Sequence, residues 1–153
     1  MENGQPGIYV ASKTKHAARW KGMRASGTPI ISTWIDLAID KAKDGAVDHA
    51  DLWDRCIEEA ASSTAVVVYF EEGEVFKGAY VEVGAALASK VPVFLVGDPS
   101  GTCWGHRLVT RCATVEEAFK KAFHVWLDRP VMTDQEEPLS TSNAKGDRVE
   151  VTS

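Results

Sequence analysis

No run of apolar residues in this chain reaches the roughly 18 to 20 that a membrane-spanning helix needs, so a bilayer span is not expected. Residues 1–20 carry no apolar segment of the signal-peptide kind, which points to a cytoplasmic protein. Cysteine is scarce. Cys56, Cys103 and Cys112 form an odd set with no Cys-x-x-Cys pair, so a disulfide framework is not expected and a reduced compartment fits. Cys103 and His106 have ligand-like separation, but no second pair accompanies them, and His49 and His124 stand alone; no metal site is expected. There is no Walker loop, and no Gly-x-Gly-x-x-Gly follows the first strand, so no nucleotide cofactor bound by those motifs is expected. Basic excess is absent too. The net charge is −5, and residues 130–153 hold five acids (Asp134, Glu136, Glu137, Asp147, Glu150) against Lys145 and Arg148. That leaves −2 for the body, and neither part resembles a nucleic-acid surface.

What remains is an ordinary globular composition. The 153 residues are 44% hydrophobic and 25% charged, enough for one domain with a real core. "GIYVAS" (7–12) reads as a strand, "TKHAARWKGMRAS" (14–26) as a helix stopped at Gly27, and "PIISTW" (29–34) as a second strand. "IDLAIDKAKDGAV" fits a short helix broken at Gly45, and the next helix, with Trp53, Ile57 and Ala60 at helical spacing, is capped by Asp48. "AVVVYF" (65–70) and "VPVFLVG" (91–97) are buried parallel-type strands with a helix over about 77–89 between them. "RLVTRC" (107–112) is a weaker strand, and Thr114 with Glu117 forms a capping box for the last helix. Residues 1–129 are therefore expected to form one α/β domain, and 130–153 a polar, disordered tail. The alternation implies a small three-layer, doubly wound, flavodoxin-like parallel sheet of about five strands. Ligands in such folds sit at the carboxyl ends of the strands, which directs attention to 12–19, 33–36, 69–74 and the residues from Gly97 onward.

One carboxylate stands out. Glu82 lies in "FKGAYVEVGAALASKVPVFLVG", among glycine, alanine and valine, where an acid is either on a wet face or present for chemistry. Gly78, Ala79, Ala86 and Ser89 share its helical face, a stripe of small residues that leaves room for close packing or for a ligand.

The strand "IYVA", the strand "AVVVYF" and the run Gly78-x-x-x-Glu82-x-Gly84 leading into Val91-Pro92-Val93 resemble the nucleoside 2-deoxyribosyltransferases and related nucleotide N-glycosidases over residues 7–97. The resemblance implies that Glu82 is the nucleophile of N-glycosidic cleavage, resolved by water or by an acceptor base, and that the protein is a homo-oligomer acting on a nucleoside or its 5′-monophosphate. A carboxylate beside the anomeric carbon suits the oxocarbenium-like state of that reaction. Three positions differ from the family pattern: Phe76 stands where an aspartate is common, Ala79 where a small or hydroxylated residue follows the glycine, and Ser12-Lys13 where the first loop usually reads Gly-Pro. Asp36, Glu71 or Glu72 would have to replace the aspartate, so Asp36 and Glu72 join Glu82 as catalytic candidates.

The remaining candidates bind substrate. Ser12, Lys13, His16 and Arg19 lie between a strand end and a helix start, a natural phosphate cradle or a plain solvated face. Trp34 suits either base stacking or core packing, and Tyr9 either packing or orienting the carboxylate. Lys77, Gly78 and Ala79 open the helix that carries Glu82. A different class of function fits the same residues: a nucleotide-binding or sensor module that kept the fold without turnover. Hydrolysis of the ribosyl bond of an NAD-like ligand shares the glutamate logic.

Overall fold

The computed structural model describes residues 6–44 and 48–130; the tail and the break at Gly45 expected from the sequence lie outside the described residues. Four strands form one parallel sheet: β1 (Ile8–Ala11), β2 (Ala65–Tyr69), β3 (Val93–Val96) and β4 (Val109–Cys112), in that spatial order. Among the described residues five α-helices surround it: α1 (Ala17–Ala25), α2 (Trp34–Asp44), α3 (His49–Ser62), α4 (Gly78–Ala88) and α5 (Val115–Leu127). Val66, Val67 and Val68 are wholly buried, which is why this strand reads as an unbroken apolar run. Each such side chain contributes about 1.5–3 kcal/mol of burial energy.

The strand expected over 29–34 is a correction. Only Ile30 bridges to Ile8, on the free edge of β1, and Trp34 already begins α2. The cause is local. Ile8 N–H donates to the Pro29 carbonyl at 2.8 Å and Ile31 N–H to the Ile8 carbonyl at 2.9 Å, but Val10 N–H then donates to the Ser32 hydroxyl at 2.7 Å. A side chain replaces the next rung of the ladder, and the chain is released to turn. Counting the bridge, the order around β1 is still that of a flavodoxin-like sheet.

Register assigns the faces. Tyr9 pairs with Val66 and Val66 with Val93, so these side chains point to one side; Val10, Val67 and Phe94 point to the other. The Tyr9 hydroxyl meets Glu82 of α4, which packs on α3, and this is the α3–α4 face. On the other face Tyr69 meets Trp20 of α1 with ring centroids 5.6 Å apart, and Trp20 meets Phe119 of α5 at 5.8 Å. Three layers result.

Caps set the helix starts. The Asp48 carboxylate accepts from Ala50 N–H at 3.0 Å and Asp51 N–H at 3.2 Å. Thr114 accepts from Glu117 N–H at 3.0 Å, while the Glu117 carboxylate returns to Ala113 N–H at 2.7 Å, one residue earlier than a capping box requires. The turn after β3 needs Gly97: its φ is 103°, and a Cβ there would lie 2.1 Å from the Phe70 carbonyl oxygen. Among the described residues no helix is long and apolar enough to cross a membrane. Cys56 and Cys112 are buried free thiols, and Cys103 is an exposed one.

Candidate functional site

Helix α4 places Glu82 in its second turn, where it meets Tyr9 of β1. The side chain is only 7% exposed and accepts a short hydrogen bond from the Tyr9 hydroxyl. Burial pushes its pKa up to about 7; the Tyr9 bond pulls the other way, and the charge of Glu59 adds to the rise. Burial likewise raises Tyr9 well above the ordinary tyrosine range, helped by the charge of Glu82, so Tyr9 remains a donor at any physiological pH. Cys56, on the same floor, is pushed by burial to about 11 and is an inert thiol at neutrality.

Above this pair opens a cavity of about 210 Å³. Its walls combine apolar rings (Trp34, Trp53, Phe76) with the polar rim of Ser12, Lys13, Thr14 and Lys77. Trp34 is locked in place, its indole N–H donating to the Val10 carbonyl at 2.8 Å. Gly78 is where the wall is tightest: a Cβ there would lie 2.7 Å from the Trp53 ring, so a side chain would drive that ring from its place. The Lys13 ammonium donates to the Val75 carbonyl at 3.1 Å and ties the first loop to the segment before α4. A single carboxylate in an aromatic-walled pocket at the carboxyl edge of a parallel sheet is the arrangement in which small-molecule sites occur.

Among the expected residues, Tyr9 and Glu82 are brought into contact, and Ser12, Lys13, Trp34, Lys77, Gly78 and Ala79 join Glu82 around the cavity. The others lie elsewhere. Asp36 lies outside that wall, its carboxylate 2.7 Å from the Arg24 guanidinium and 3.9 Å from the Lys21 ammonium. Its place on α2 turns it toward α1, with which that helix packs. Glu72 is exposed at the turn after β2 and is not part of the lining of this cavity.

His16 and Arg19 belong to the opposite face of the sheet. His16 Nε2 lies 2.7 Å from Glu74 and stacks edge-on against Tyr69, and Arg19 sits 5.2 Å over the Tyr69 ring. His16, Glu71 and Glu74 bring ligand-type atoms within 4.8 Å of one another. The Lys15 ammonium is already 3.5 Å from Glu74 and 3.9 Å from Glu71, so this cluster is an ion-paired clasp on the loop after β2. Glu74 is correspondingly held below its usual pKa by the Glu71 N–H and by His16, against a burial effect that would raise it. His106 Nδ1 accepts from Leu108 N–H at 3.0 Å, and Cys103 is exposed.

Against family models, curated proteins and solved structures, the chain shows no match. The site therefore rests on its own geometry.

Two features in and beside the cavity are not visible in the sequence. Trp53 and Cys56, three apart on α3, supply a wall and part of the floor. Glu59, three residues further along the same face, is a second buried acid, 6% exposed. Its carboxylate accepts from both Thr33 N–H (3.1 Å) and Thr33 Oγ1 (2.8 Å). The spacing expected of this helix runs through Trp53, Ile57 and Ala60, but Ile57 is 40% exposed; the buried face runs through Cys56 and Ala60, and Glu59 falls inside it.

Proposed function

We propose that this protein cleaves or transfers at the N-glycosidic bond of a nucleoside or nucleoside 5′-monophosphate, with Glu82 as the carboxylate that meets the anomeric carbon. The observation carrying the reading is Glu82 itself: buried, held by Tyr9, and facing a cavity with flat aromatic walls. In this reading the bond from C1′ to the base nitrogen breaks, its electron pair leaves with the base, and a Glu82 oxygen bonds to C1′. Water or an acceptor base then displaces Glu82. The base leaves with a proton delivered through water, since Glu82 is the one acid lining the cavity among the described residues.

Glu82 attacks only when ionised. With its pKa raised to about 7, base release should increase as pH rises through that value. A cytoplasmic homo-oligomer belongs to the same reading, and light scattering checks its size.

The want of a second acid favours one other reading: a nucleotide-binding module without turnover. A single experiment separates the two. Ribo- and deoxyribonucleosides and their 5′-monophosphates are incubated with wild type and Glu82→Ala, with and without a free acceptor base, and base release is followed by chromatography. Release lost in Glu82→Ala supports cleavage, and exchange into the acceptor identifies transfer. Binding with no release from any substrate, unaltered by Glu82→Ala, supports the binding module and rejects the enzyme.

A further inference from the structure

Glu59 is a costly residue to bury, yet it never reaches the cavity. It is 6% exposed, and burial raises its pKa despite the two Thr33 hydrogen bonds and the nearby Arg55, which favour its ionised form. Both of its visible bonds go to one residue, Thr33, at the point where the chain leaves the Ile30 bridge and begins α2. The next residue is Trp34, a wall of the cavity, whose indole is fixed to β1. Ser32, the residue before, is also bonded to β1, through Val10 N–H. Three consecutive residues are thus pinned, two by the sheet and the middle one by Glu59.

We propose that Glu59 is a positioning residue for the cavity: it holds the Thr33 turn that delivers Trp34 to the wall, and it sets a second buried carboxylate on the helix packed against that of Glu82. When ionised, Glu59 makes the proton on Glu82 harder to remove, in the direction of the Glu82 shift. The other ionisable groups facing Glu82 are Tyr9 from β1 and Cys56 from α3, with Lys13 and Lys77 on the cavity rim. Those facing Glu59 are Arg55 and Glu58 of its own helix. The proposal rests on the cavity described above but not on what the cavity binds or cleaves.

The test needs no substrate. Protein labelled with 13C at glutamate side-chain carboxyls is titrated by NMR, with the Glu82 signal assigned through Glu82→Gln. The Trp34 indole N–H is followed in the same samples, assigned through Trp34→Phe. Glu59→Gln removes the charge and leaves one acceptor for Thr33, and the Glu82 midpoint should fall below its wild-type value. Glu59→Asp keeps the charge but shortens the reach to Thr33; the midpoint should stay and the Trp34 resonance should move. Thr33→Val, which removes one donor and leaves Glu59 in place, should also move the Trp34 resonance, and with Glu59→Asp it carries the test if Glu59→Gln does not fold. An unchanged Glu82 midpoint in folded Glu59→Gln, or a Trp34 resonance unmoved in both other variants, overturns the proposal. A plain packing role would leave the Glu82 midpoint where it is. Should the midpoint respond while no nucleoside releases its base, the glycosidic reading fails and this one stands.

Discussion

Replacing Tyr9 by phenylalanine removes one oxygen and leaves Glu82 without its hydrogen-bond donor. A bond to an ionised group is worth up to about 3 kcal/mol and a neutral one about 1, and 1.36 kcal/mol corresponds to one pKa unit, so the difference of about 2 kcal/mol should move Glu82 from about 7 to about 8.5. The consequence for stability has a definite sign. The folded-state pKa of Glu82 already lies above that of an unfolded glutamate, about 4.3, so the native state holds this proton more tightly. The stability gained in this way is fully present below about pH 4.3 and is lost as pH rises through 7, a fall of about 4 kcal/mol in the wild type. In Tyr9→Phe the fall should continue to about pH 9 and deepen by about 2 kcal/mol. Urea unfolding of both proteins at pH 5 and pH 9 measures this. At pH 5 Glu82 is protonated in both, and the variant should be weaker by about 1 kcal/mol, the value of a neutral hydrogen bond. At pH 9 the gap should grow to about 3 kcal/mol. A gap of equal size at both pH values would refute the reasoning, because the hydroxyl would then not be holding the charged form.

Two further substitutions separate the cavity from its surroundings. Gly78→Ala puts a methyl group 2.7 Å from the Trp53 ring; calorimetric binding of nucleoside monophosphates should weaken at least tenfold, while thermal unfolding shows a cost of about 1–3 kcal/mol for the overpacked contact. Asp36→Asn breaks a partly exposed pair with Arg24, which costs about 0–1 kcal/mol, and base release should be unaffected; loss of activity would return Asp36 to the chemistry.

How much of this was legible in the sequence depends on the residue. The alternation of apolar strands with helices, and a lone acid in a helix of small residues, point to the sheet and to Glu82 because burial leaves a pattern along the chain. Tyr9 is visible only as one of several uses of a strand tyrosine, since nothing local says which face of the sheet it takes. Asp36 is misplaced because a strand over 29–34 would have aimed it at the carboxyl edge; the hydroxyl of Ser32 ends that ladder early, and α2 starts two residues before Asp36. His16 and Arg19 fall near the right strand end but on the wrong side of the sheet, a distinction fixed by how α1 packs. Glu59 stands beside Glu58, and the expected Trp53–Ile57–Ala60 face, whose Ile57 is in fact exposed, does not show which of the two acids turns inward. Its partner, Thr33, is 26 residues away, and no local rule supplies that contact.

Ser12 makes the two sides of the sheet less separate than their layers suggest. Its hydroxyl borders the cavity on the α3–α4 side, yet it accepts the indole N–H of Trp20 at 2.8 Å and donates to the Lys13 carbonyl at 3.0 Å. Trp20 is wholly buried among Tyr69 and Phe119, out of reach of anything in the cavity. One hydroxyl therefore serves as a through-bolt: a molecule that bonds to the Ser12 oxygen shares it with Trp20. A hydrogen bond made to that oxygen from the cavity therefore reaches the surroundings of an indole on the far side of the sheet.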